Sequence, residues 1–83
     1  MTRITYEKRN DTLEVSNLMM TKEGQIIFVE IDFNQDQMYI KDIEGECLFS
    51  CEFTDADEVK RQAREKCIEI GVYINTEIRS KDE

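Results

Sequence analysis

The chain has no histidine, no tryptophan and no proline. Without histidine there is no Ser-His-Asp or Cys-His catalysis and no imidazole metal ligand. A side-chain base that titrates near neutrality by its ordinary pKa is missing as well. Glycine is scarce: Gly24, Gly45 and Gly71 each stand alone, so no GxxxxGK[ST] or GxGxxG phosphate loop exists. The aspartate-rich pattern of a calcium loop is absent too, although the polar stretch Phe33–Met38 holds Asp36. Apolar runs are short. None approaches the ~20 residues of a membrane span, and the opening residues lack the apolar core of a secretion signal. The expectation is a cytoplasmic protein with free thiols.

Positive charge is also in short supply. Eleven Lys and Arg stand against 19 Asp and Glu, a net charge of −8. Nucleic-acid phosphates and anionic lipid repel such a chain, because binding there depends on basic side chains displacing counterions. Direct nucleic-acid or membrane binding is therefore not expected. Hydrophobic residues make up 40% of the 83, enough for a folded domain with a modest core. That length supports one core. We expect one domain over 1–83, with a charged, frayed tail at 79–83.

The three cysteines are Cys47, Cys51 and Cys67. In a strand, residues four apart lie roughly 13 Å from each other, so Cys47 and Cys51 do not share an ion. All three read as small core residues. No metal and no cofactor are expected. No acid–base constellation stands out, and a chain this short has little room for a substrate pocket beside its core. The expectation is a protein that is not an enzyme.

What is present is alternation, punctuated by the glycines. A three-residue loop at Lys22-Glu23-Gly24 pairs Thr21 with Gln25. It then sets Met19 against Ile27, Asn17 against Val29, Val15 against Ile31 and Leu13 against Phe33. A polar loop at 34–37 pairs Phe33 with Met38 and Ile31 with Ile40. A two-residue turn at Glu44-Gly45 pairs Ile40 with Phe49 and Met38 with Cys51. Another at Asn10-Asp11 sets Tyr6 against Val15 and Lys8 against Leu13. All four turns keep one face apolar, and a slip of one residue would invert it. The expectation is an α+β fold: a five-stranded antiparallel meander over about 3–9, 12–21, 25–33, 38–43 and 46–53. Its inner face also takes in Ile4, Cys47 and Phe53.

One helix is expected to cover that face. Asp55 is the cap, with Glu58 at capping-box spacing, and Gly71 is the stop after Ile70. Val59, Ala63, Cys67 and Ile70 form one apolar stripe. Residues 72–78 alternate again and read as a short sixth strand on an open sheet edge.

The outer face is divided. The same register puts Leu18, Met20, Ile26, Phe28, Ile43 and Leu48 at an apolar end, read as a self-association or partner surface. Glu14, Glu30, Asp32 and Glu52 lie toward the other end. Between Glu30 and Glu58 there are ten acids and one base, Lys41. This block is read as docking on a basic protein surface through Glu30, Asp32, Asp36, Asp42, Glu44 and Glu46.

In size, acidity and one-helix-on-a-sheet layout the chain resembles the small phage-encoded inhibitors of CRISPR and restriction enzymes. The likeness is one of type. No residue motif carries it, so no functional residues follow from it. It implies a small acidic interaction protein whose carboxylates take the place of phosphates on a nucleic-acid enzyme. The alternative is a homo-oligomeric accessory subunit, such as a homodimer stacked through the apolar end of the sheet.

Overall fold

The computed structural model describes residues 3–73. Six strands precede one helix: β1 (Tyr6–Asn10), β2 (Leu13–Ser16), β3 (Met19–Met20), β4 (Ile26–Asp32), β5 (Gln37–Asp42), β6 (Cys47–Glu52) and α1 (Ala56–Ile70). They form one antiparallel sheet in the order β1-β2-β4-β5-β6, with β3 also pairing to β4. The fold is α+β, as expected, with α1 on one face. The expected second strand is broken into β2 and β3.

The centre of the sheet follows the alternation. Ile27, Val29 and Ile31 of β4 and Met38 and Ile40 of β5 are fully buried. From the other side Val59, Ala63 and Cys67 of α1 close on them, with Met19, Phe53 and Val72 at the margins. The Phe33 and Phe53 rings meet edge to face at 5.7 Å. Each large buried side chain of this kind is worth roughly 1.5–3 kcal/mol of transfer free energy.

The helix ends where local chemistry says it should. The Asp55 carboxylate accepts the Asp57 N–H at 2.8 Å. Glu58 does not complete the reciprocal box; its carboxylate pairs with Arg61 instead. At the other end the Gly71 N–H reaches the Cys67 and Ile68 carbonyls, each at 3.1 Å. Gly71 has φ +126, a backbone that side chains with a Cβ rarely adopt.

Three register expectations are corrected. Met19↔Ile27 and Met20↔Ile26 hold, but β2 pairs as Leu13↔Asp32, Glu14↔Ile31 and Val15↔Glu30. The slip of one residue arises at Ser16-Asn17-Leu18. There the Asn17 amide side chain accepts the Thr5 N–H at 2.9 Å and donates to the Arg3 carbonyl at 3.0 Å. The Ser16 hydroxyl occupies the inner face. Leu13 and Val15 therefore turn outward, and Glu14 turns to the helix side, where Lys60 meets it at 2.9 Å. The first turn is Asp11-Thr12, and Tyr6 stands opposite Ser16 rather than Val15.

The β4–β5 loop is Phe33–Asp36, because Asp32 pairs with Gln37 and Ile31 with Met38. This displacement is by two residues, so the buried face survives. The β5–β6 loop has three residues, Ile43-Glu44-Gly45: the Asp42 N–H donates to the Glu46 carbonyl at 2.9 Å. Gly45 supplies the positive φ, +92, that the loop's last position needs. A bulge between Ile40 and Lys41 absorbs the extra residue, so Ile40↔Phe49 and Met38↔Cys51 stand as expected. The bulge also brings Cys47 opposite Lys41. Cys47 is exposed and Cys51 half-buried, so of the three cysteines only Cys67 is a full core residue.

Of the expected strand at 72–78, Val72 forms a bridge to Thr21. Residues 74–78 and the tail 79–83 lie outside the described residues.

Candidate functional site

The face of the sheet away from α1 is the candidate site. Strand pairing lays it out in rows. Met20 stands opposite Ile26, and the Ile43 N–H donates to the Ile26 carbonyl at 3.1 Å. These three make the first apolar row. The next holds Phe28 opposite Lys41, with Cys47 beyond it. Leu18 and Val15 lie beside Phe28 around a shallow depression of about 370 Å3 that Glu7 and Arg9 also border. A third row runs Glu7, Val15, Glu30, Tyr39 and Ser50, and a fourth Leu13, Asp32, Gln37 and Glu52.

Five of the six residues expected at the apolar end, Leu18, Met20, Ile26, Phe28 and Ile43, lie together there, whereas Leu48 falls in the β5–β6 bulge and Cys47 takes the place opposite Lys41. Leu18, Met20 and Ile43 are more than half exposed, at 56%, 58% and 58%, and Leu48 is 39% exposed. Ile26 and Phe28 are half-buried. Met20 is held in place by strand pairing with Ile26 of β4, and Ile43 by its backbone bond to the same residue, not by burial of their own surface. Val15 and Leu13 belong to the same outer face and were missed. The only signal for them is the Ser16-Asn17 pair, whose side chains interrupt the strand.

The acidic residues fare differently. Glu30 sits against Lys41 at 3.1 Å, both about three-quarters covered. The Asp32 carboxylate accepts the Asn34 and Gln35 N–H groups at 2.9 and 3.1 Å, which holds the β4–β5 loop. The Asp42 carboxylate does the same for Glu44 and Glu46 at 3.0 and 2.9 Å. Only Asp36, Glu44 and Glu46 of the expected set are exposed.

These acids do not form one patch. β5 carries the chain from one end of the sheet to the other, roughly 17 Å at strand rise. Asp32 and Asp36 stand at one pole. The Phe53 N–H donates to the Asp36 carbonyl at 3.0 Å, which draws Glu52, Asp55 and Asp57 to that pole. Asp42, Glu44 and Glu46 stand at the opposite pole, beside the apolar rows. A shallow depression lined by Ile26 and Ile43 is bordered by Asp42 and Glu44.

The helix side holds a different group. Lys60 Nζ lies 4.8 Å above the Tyr6 ring while pairing with Glu14. The Tyr6 hydroxyl is buried without a hydrogen-bond partner. Burial, followed by the proximity of Cys67 and Glu14, moves the Tyr6 phenol well above its ordinary pKa. Burial likewise pushes the Cys67 thiol up to about 11, so it is held as an unreactive neutral group.

Among the described residues no group of His, Cys, Asp and Glu is placed to hold a metal ion. None of the helices there is long and apolar enough to cross a membrane. Comparison with known proteins finds no family, no curated protein and no solved structure that matches this chain.

Proposed function

We propose that this chain is a non-catalytic protein–protein interaction domain that docks the outer face of its sheet on a basic protein surface. The observation that carries the reading is the apolar group Leu18, Met20, Ile26, Phe28 and Ile43, with exposed Leu48 in the bulge of neighbouring β6, left uncovered by α1 and bordered by exposed Glu44 and Glu46. Contiguous apolar surface rimmed by charge marks contact sites. The apolar rows supply desolvation, and the carboxylates supply encounter rate and choice of partner. A nucleic-acid-binding protein offers the basic surface that such a rim complements. In that case the domain acts as an inhibitor, its carboxylates standing where phosphates would.

In this reading not every acid of the block meets the partner. Asp32 and Asp42 are engaged in holding loops and Glu30 in pairing with Lys41. That leaves exposed Glu44 and Glu46, beside the apolar rows, to meet the partner, while exposed Asp36 stands at the opposite pole.

The second reading, a homo-oligomeric accessory subunit, is favoured by the exposure of Leu18, Met20 and Ile43 on one flat face. A charge of −8 on each copy opposes it at low salt.

The test is capture from host lysate with three baits: wild type, Leu18→Asp with Met20→Asp, and Glu44→Lys with Glu46→Lys. A basic partner held by wild type, released by salt and lost by both variants supports the docking reading. Retention that is indifferent to salt and to both variants overturns it. A mass that rises with concentration for wild type alone, measured by sedimentation, moves the assignment to self-association.

A further inference from the structure

Strand β6 is an edge of the sheet. It pairs with β5 and, among the described residues, with no other strand. Alternate residues along such an edge direct their N–H and C=O groups outward. Natural edges are usually blunted by lysine, by proline or by a covering element. β6 reads CLFSCE and has neither residue. Its bulge lies at the start, so Phe49–Glu52 keep a regular register.

The helix leaves this edge open. α1 packs over β5, and the helix-facing Phe49 and Cys51 of β6 remain half-buried. Between α1 and β6 lies a cleft of about 330 Å3, with Met38, Phe49 and Cys51 at its floor and Gln62 and Lys66 on its helix wall. Glu52, Glu65 and Glu69 also line it, three carboxylates against the ammonium of Lys66 and the guanidinium of Arg61, which pairs with Glu65 at 2.9 Å. That ammonium is engaged, 4.4 Å above the Phe49 ring and 3.0 Å from Glu69.

We propose that the β6 edge and this cleft bind an extended basic segment of a partner protein, which adds as a further strand beside β6. A strand laid there at ~4.8 Å from β6 alternates its side chains between the cleft and the outer side. A lysine or arginine facing the cleft lays its aliphatic stem along Phe49 and Cys51 and its charged head among Glu52, Glu65 and Glu69. Complementary charge selects this occupant. A second copy would bring its own net charge of −8 to the edge, and like charge opposes that pairing. The β6 edge is a different surface from the apolar outer face, so either assignment can fail while the other stands.

The experiment uses the full chain, labelled with nitrogen-15, and a short synthetic peptide of alternating lysine and valine. Two further peptides carry backbone N-methyl groups, one on every lysine and one on every valine. Charge and side chains are unchanged, but each loses the N–H groups along one edge. Strand addition predicts that one methylated peptide binds like the parent and the other at least about tenfold more weakly, through lost backbone hydrogen bonds. Amide shifts concentrate on Phe49–Glu52 and on helix residues 62–69. Glu65→Gln with Glu69→Gln, at exposed helix positions, weakens the parent peptide without changing the fold. Equal binding of all three peptides overturns the proposal. So do shifts centred on Leu18, Met20 and Ile43, or β6 shifts that follow protein concentration without peptide.

Discussion

The Ser16 hydroxyl oxygen accepts the Val29 N–H at 2.8 Å while its proton goes to the Asn17 carbonyl at 2.9 Å. Val29 is fully buried and lies between the β2–β4 and β3–β4 ladders. The serine thus does there what a neighbouring strand would otherwise do. Ser16→Ala removes the acceptor and leaves a buried N–H unpaired. It is expected to destabilise the fold by about 1–3 kcal/mol, read as a lower urea midpoint with an unchanged slope.

The carboxylates at the β5–β6 pole differ in what they hold. Asp42 accepts two loop N–H groups, whereas Glu44 and Glu46 are exposed. Asp42→Ala is expected to cost about 1.5 kcal/mol of folding stability, the low end of the range for bonds to a charged group. Glu44→Lys and Glu46→Lys are expected to stay within about 0.5 kcal/mol. Thermal or urea denaturation of the three variants separates them, and only the last two are clean probes of partner binding.

Gly71 ends α1 at φ +126. A Cβ added there would lie 3.8 Å from the Thr21 Cβ, an ordinary contact. The cost of Gly71→Ala is therefore one of backbone strain, about 1–2 kcal/mol. Faster amide exchange at Gly71 and Val72, whose N–H groups cap the Cys67 carbonyl, is the expected sign.

Burial raises the Cys67 thiol from 9.0 to about 11, and the Tyr6 phenol moves the same way. Both groups are neutral when protonated, and the folded state holds those protons more tightly than the unfolded chain. For Cys67 the contribution is complete below pH 9 and is lost as pH rises toward 11; for Tyr6 it is complete below pH 10 and is lost only at higher pH. For Cys67 the loss is on the order of 2–3 kcal/mol. Stability measured against pH should fall across this window, and Cys67→Ala should flatten the fall. In the native protein iodoacetamide should label exposed Cys47 well before Cys67.

The helix and the sheet centre were legible because their causes are local. Asp55, Gly71 and the Val59–Ala63–Cys67 spacing act within a few turns of chain. A period of two places Ile27, Val29, Ile31, Met38 and Ile40 on one face whatever the loops do by even steps. The apolar end of the outer face was legible for the same reason, since Met20↔Ile26 follows directly from the loop at 22–24.

What the sequence alone determined is thus the α+β class, the helix with its caps, the inner face of the central strands and the apolar group on the outer face. Only the tertiary structure decided the rest. The Ser16 and Asn17 side chains take hydrogen bonds from distant backbone, and this breaks the strand and turns Leu13 and Val15 outward. Nothing in the alternation of apolar residues encodes that competition. The acids from Glu30 to Glu58 are contiguous along the chain, but β5 spans the sheet between them, so charge that is one block in sequence becomes two poles in space.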